Sequence, residues 1–171
     1  MSADGSGHSL ILRCPEANPD HSLATNWLPS ASIGGTPGTE DGVTFANWGT
    51  AHGVTGQATD DDDLDQLSNL LEYGFGTDPL DPSSAGPLAS LVSDSGGEYL
   101  ALTVTRSLTA TNILFYPEVS DDLITWSSDL LDIILFSSLN NGDGTVTEIY
   151  RCTTPSASLT RQFMRIVVEM K

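Results

Sequence analysis

Between residues 60 and 72 the chain reads Asp60-Asp61-Asp62-Asp63-Leu64-Asp65-Gln66-Leu67-Ser68-Asn69-Leu70-Leu71-Glu72. Counted from Asp61, carboxylates fall at positions 1, 3, 5 and 12 of a twelve-residue loop, with the main-chain carbonyl of Leu67 at position 7 and Asn69 at position 9. Asp61, Asp63 and Asp65 sit on alternate residues of a tight loop and so converge inward. Glu72 can close the site with both oxygens, and Asn69 can ligate directly or hold a water. That donor set suits a hard cation: calcium takes roughly 6–8 oxygen ligands. Only this register works, because starting at Asp60 puts Leu64 at position 5.

One position departs from the pattern. The sharp turn at position 6 favours a positive φ and normally glycine, and here it is Gln66. A non-glycine residue in that conformation costs about 1 kcal/mol, so weaker binding or altered geometry is expected. The competing reading is a solvated acidic run ahead of a helix N-terminus, where aspartate is favoured without any metal. Adjacent aspartates repel, which makes an unliganded ordered loop costly. Asp78 and Asp81, in Asp78-Pro79-Leu80-Asp81-Pro82, either hold a second ion or belong to a linker turn.

Two helices are expected to position the loop. Thr44 can cap a helix carrying Phe45, Trp48 and Ala51 on one face and ending at Gly53. A second helix follows the acidic run, with Leu67, Leu70, Leu71 and Phe75 at helical spacing and Gly74 and Gly76 closing it. The two apolar faces, Phe45/Trp48 and Leu70/Leu71/Phe75, are expected to pack together once the charge is neutralised, giving a helix–loop–helix calcium module.

Composition narrows the partners. The 171 residues carry 23 acidic against 6 basic side chains, a formal net charge of -17. The only lysine is Lys171, and Arg13 is the only lysine or arginine in the first hundred residues. Nucleic acid and anionic membrane are therefore excluded as partners, since both need Lys or Arg to neutralise phosphate. The charge fits a calcium-rich extracellular setting. No apolar run approaches the roughly 18 residues of a membrane span. The polar start lacks the features of a signal peptide, so the extracellular expectation treats the chain as a C-terminal piece of a longer secreted protein. Cys14 and Cys152 are either a long-range disulfide or two free, half-buried thiols.

The flanks read as β-structure. Residues 8–13 alternate enough for a strand, and a second short strand is expected around Asn26-Trp27-Leu28, with prolines and glycines between and after them. Two strands with one Trp cannot build an independent core. From residue 85 onward, candidate strands are 87–93, 99–106, 113–120, 123–126, 132–137, 145–151 and 162–169, separated by turn signals. The fold expected is mainly β: a seven-strand antiparallel β-sandwich at 85–171, preceded by a helical calcium-binding module at 42–84 and the end of a β-domain at 1–41. Asn140-Asn141-Gly142-Asp143-Gly144 lacks a closing acid and reads as a hairpin turn.

Three resemblances add to this. Asp61 to Ser84, including Gly76-Thr77-Asp78-Pro79, resembles the EF-hand-like thrombospondin type 3 and dockerin-like calcium repeats of bacterial surface proteins. That resemblance implies calcium ligation by Asp61, Asp63, Asp65, the Leu67 carbonyl, Asn69 and Glu72. Asp4-Gly5-x-Gly7-x-Ser9-Leu10, Asn18-Pro19-Asp20, Asn26-Trp27 and Gly34-Gly35-Thr36-Pro37-Gly38 resemble the closing strands of a lamin-tail-like domain. Glu118-Val119-Ser120-Asp121-Asp122-Leu123-x-x-Trp126 and Arg161-x-Phe163-Met164-Arg165 resemble the β-domain that follows such repeats.

The expectation is a non-enzymatic calcium-binding linker and interaction region, joined to a cell-surface protein or polysaccharide. The alternative is a carbohydrate- or protein-binding sandwich with structural calcium, using Trp126, Tyr116 and Tyr150 as platform aromatics. Ser93-Asp94-Ser95-Gly96-Gly97 and Thr50-Ala51-His52-Gly53 look superficially like protease motifs. They lie on a hairpin and a helix of different modules, with no arrangement that unites them. His8, His21 and His52 have no ligand spacing.

Overall fold

The computed structural model describes residues 7–12, 20–22, 27–35, 42–158 and 160–171. The architecture is mainly β, with all named strand pairs antiparallel. β1 (His8–Leu12) pairs with β2 (Trp27–Ile33). Helices α1 (Phe45–His52) and α2 (Asn69–Phe75) follow. Strands β3 (Leu88–Asp94), β4 (Gly97–Ser107), β6 (Ile133–Asn140) and β7 (Thr145–Cys152) form one sheet in the order β3-β4-β7-β6. β5 (Ile113–Ser120) pairs with β8 (Phe163–Met170) in a second sheet. Residues 4–6, 18–19, 26 and 36–38 of the lamin-tail-like motifs, and Cys14, lie outside the described residues. No helix among the described residues is long and apolar enough to cross a membrane.

Six of the seven strands expected after residue 85 form. The seventh, 123–126, does not. Asp122 Oδ1 accepts from both Ile124 N and Thr125 N at 2.7 Å, and Ser120 Oγ accepts from Leu123 N at 2.8 Å. Those amides are taken by side chains before a ladder can use them, and Leu123 sits at φ 63. Only Ser127 bridges back, to Val119. The segment Asn141-Gly142-Asp143-Gly144 is the β6–β7 hairpin connection, with Gly142 and Gly144 at positive φ.

Thr44, Gly53 and Gly76 end the helices as expected, while the N-cap of α2 is Ser68, which was not singled out in the sequence. Thr44 Oγ1 accepts from Asn47 N, and Gly53 closes α1 at φ 75. Ser68 Oγ accepts from Leu71 N, and Gly76 closes α2 at φ 74. Leu67 lies before α2, and Gly74 lies within it. The residue at the centre of the helix pair is Tyr73, rather than Leu71 or Phe75. It packs against Trp48 and Phe45 of α1, and its hydroxyl sits within hydrogen-bond reach of both Val43 O and Asn112 Oδ1. Phe75 turns the other way, onto Phe115 of β5 at 6.0 Å.

The core therefore runs on from the helices into the second sheet. Trp48, Tyr73 and Ile113 form one buried cluster, flanked by Val43, Phe45, Val54, Leu70, Ala110, Phe115 and Val168. A second cluster joins Val119 of β5 to Ile133 of β6 and Cys152 of β7. Cys152 is a free, fully buried thiol rather than a half-buried one, and burial pushes its pKa up to about 11.

Candidate metal centre

The acidic loop is held at both ends before any of its carboxylates is considered. Asp60 O accepts from Asn69 N at 2.8 Å, and Ala58 O accepts from Leu70 N at 2.9 Å. Gln57 N donates to Asp60 Oδ2 at 2.7 Å. The stretch entering the loop is thus clasped to the first turn of α2, which brings position 1 next to position 12.

Within the loop, the odd-numbered aspartates wind the backbone, Asp61 with both oxygens and Asp63 and Asp65 with one each. Asp61 Oδ1 accepts from Leu64 N at 2.6 Å and Asp65 N at 3.2 Å, and its Oδ2 accepts from Gln66 N at 2.9 Å. Asp63 Oδ1 accepts from Asp65 N, and Asp65 Oδ1 from Leu67 N. These Asx-type bonds satisfy four successive amides, Leu64 to Leu67, in a loop too tight for backbone partners. The cost falls on Leu64 at φ 67 and Gln66 at φ 81, both in the left-handed region. Gln66 thus occupies the conformation for which glycine is normally required. Gln66→Gly is expected to stabilise the folded chain by about 1 kcal/mol. Urea unfolding checks this, and an unchanged midpoint would show that the side chain compensates for the strain.

The winding brings Asp61, Asp63 and Asp65 together, each offering a carboxylate oxygen within 4.8 Å of the others. Among the described residues this is the one group of three or more metal-ligating side chains so placed. Glu72 stands behind it on α2, fully buried. Burial first, then the charges of Asp63 and Asp65, push its carboxyl up to about 7. Asp63 is raised by the same two causes in the same order, burial and then Asp65.

Three buried oxygens of this site have no hydrogen-bond donor: Asp63 Oδ2, Asn69 Oδ1 and Glu72 Oε2. Glu72 uses only its other oxygen, which accepts from Thr77 Oγ1 at 3.4 Å. A buried polar atom without a partner costs about 1–3 kcal/mol, so three within residues 63–72 leave a substantial unmet demand for partners. Asp61, Asp63 and Asp65 supply the convergent oxygens, with Glu72 near enough to feel their charge. That set fits a hard divalent cation of the calcium type and offers nothing to a soft metal.

Of the sequence-predicted ligands, Asp61, Asp63 and Asp65 are brought together, and Glu72 is placed against them through α2. Leu67 lies just before α2, and Asn69 is the first residue of that helix. Asp78 and Asp81 are not part of the cluster. Asp78 Oδ1 accepts from Leu80 N, while Asp81 Oδ1 accepts from Ser83 N and Ser83 Oγ, so each closes its own exposed turn. Asp62 was passed over in the sequence, although the alternation that sends the odd-numbered aspartates inward sends it outward. Thr77, which holds Glu72, stood out in the sequence only as part of Gly76-Thr77-Asp78-Pro79.

The candidate platform aromatics are occupied differently. The Arg165 guanidinium lies over the Trp126 ring at 4.1 Å and pairs with Glu118 at 2.7 Å. Tyr150 donates to Glu148 Oε2 at 2.7 Å and flanks the second core cluster. Tyr116, on β5, is half-buried. His52 closes α1 with its ring against Trp48, and Ser95 sits in the β3–β4 turn. No protein-family model, curated protein or solved structure matches the chain.

Proposed function

We propose that residues 42–84 are a calcium-stapled structural joint of an extracellular protein, non-enzymatic, linking the β-structure on either side. The observation that carries this reading is the fully buried Glu72, whose Oε2 lacks a donor beside the Asp61–Asp63–Asp65 cluster. A cation there removes the repulsion between four carboxylates and supplies the missing partner at once. The likeness to thrombospondin type 3 and dockerin-like repeats supports calcium as the ion and a secreted parent as its setting. Millimolar extracellular calcium would keep a moderately strained site filled.

Its effect would reach the β-structure through α2. Glu72 faces the loop, and the next residue, Tyr73, holds Val43 and Asn112 and packs on Ile113. Filling the site fixes the register of α2, and Tyr73 carries that order into the β5–β8 sheet. Amide hydrogen exchange tests this directly. Calcium is expected to slow exchange across residues 55–76 and around Asn112, while the centre of β4 and β7 stays unchanged. Identical exchange in calcium and in EDTA would sink the reading.

A further inference from the structure

Asp62 does something its neighbours do not. Its Oδ2 accepts from Thr55 N at 2.8 Å, Thr55 Oγ1 at 3.3 Å and Gly56 N at 3.3 Å. Its Oδ1 accepts from Asn69 Nδ2 at 3.2 Å, and the same Nδ2 donates to Gln57 O at 3.0 Å. An ionised carboxylate and a backbone carbonyl are acceptors only. Both contacts therefore require the NH2 end of the Asn69 amide, and its oxygen is fixed as the free end. Asn69 is fully buried, and Oδ1 has no donor.

We propose that Asp62 is the positioning residue of the metal centre: it locks the Asn69 amide so that the oxygen, and not the NH2, is presented to the ion, making Asn69 a direct ligand. The assignment rests on the calcium reading above. It explains why a buried asparagine stands where a water-holding side chain would serve a looser site. It also ties the loop to residues 55–57, directly after α1, through one carboxylate that never touches the ion. Partners that orient a ligand in this way commonly matter roughly 10–100-fold in metal affinity.

Asp62→Asn is the sharpest test. The three donors from Thr55 and Gly56 retain the carbonyl oxygen of the new amide, so its NH2 falls against the NH2 of Asn69. Donor then opposes donor, Gln57 O alone is left to hold the Asn69 amide, and its oxygen is no longer locked toward the cation. Calcium affinity is read by calorimetry for the parent, Asp62→Asn, Asn69→Ala and the double variant. Each single change is expected to weaken binding roughly tenfold or more. The double variant should be within about twofold of Asn69→Ala alone, because Asp62 acts through Asn69. Terbium luminescence lifetimes in H2O and D2O give a second readout, with about one additional bound water expected in either single variant. Asp62→Ala carries the same lifetime test if Asp62→Asn folds poorly. Losses that add in the double variant, or unchanged hydration in the Asp62 variants, would overturn the assignment while calcium binding by the parent stands. A parent that takes up neither calcium nor terbium would overturn the calcium reading and this assignment with it.

Discussion

Replacing Glu72 by glutamine is expected to stabilise the calcium-free protein and to remove its response to calcium. The two effects share one cause. Burial and the neighbouring aspartates raise the Glu72 carboxyl from 4.5 to about 7. Below pH 4.5 the group is protonated in both folded and unfolded chains and has no effect on stability. Between 4.5 and 7 the folded chain keeps a proton that the unfolded chain has released, so stability falls as pH rises. Above 7 the penalty is complete, about 3 kcal/mol. Glutamine carries no such penalty. The variant should match the parent at pH 4 and exceed it at pH 8 in EDTA, other carboxylates cancelling in the difference. Calcium reverses the order. A ligand bound only by the folded chain contributes RT ln(1 + [L]/Kd), about 4 kcal/mol at a thousandfold excess over Kd, and the parent alone should gain it. Urea unfolding at both pH values, with calcium and with EDTA, provides the four comparisons. A variant less stable than the parent in EDTA at pH 8, or one with the parent's calcium gain, would refute the placement of Glu72.

The second large effect is expected far from the loop. Glu148 on β7 is 1% exposed and accepts from Arg106 Nε and Nη2, both at 3.1 Å, and from Tyr150 Oη at 2.7 Å. Arg106 lies over the Phe115 ring at 5.4 Å, and Phe115 in turn meets Phe75 of α2. The network thus supports the metal-bearing helix from the β side. Glu148→Ala leaves a guanidinium largely buried and without its bidentate partner, and should cost about 3–5 kcal/mol. Removing both charges with apolar residues of similar size, Arg106→Met with Glu148→Leu, should be far milder, because no charge is then left uncompensated. Denaturant midpoints for the single and double variants decide it. A loss near that of an ordinary surface substitution, about 0.5 kcal/mol, would show that the pair is dispensable.

The parts of this molecule that were legible in the sequence are those fixed by local chemistry. Alternating carboxylates from Asp61 to Asp65 can wind only one way when their own amides need partners. Thr44, Gly53 and Gly76 cap helices through bonds spanning a few residues. Strands β3–β8 were marked by turn residues, and all but the 123–126 segment formed where expected. That segment had strand-like residues, but Asp122 took its amides first, a local competition that apolar patterning does not register. The rest depended on distant packing. Leucines at helical spacing pointed to Leu71 and Phe75, yet Tyr73 fills the centre, where Val43 O and Asn112 Oδ1 are both within reach of its hydroxyl. Glu148 looked like one member of an alternating strand until Arg106, 42 residues earlier, was found on the same face. Asp62 looked redundant in a run of four aspartates and gains its role only from Thr55 and Asn69.

Calorimetric titration of calcium into EDTA-stripped protein, with magnesium as the control, tests the central claim most directly. One equivalent of calcium bound in preference to magnesium is the predicted result, since the loop offers more oxygen ligands than magnesium's octahedral shell accepts. No heat with calcium, together with no shift in melting, would contradict it and leave the Asp61–Glu72 loop as a solvated acidic turn.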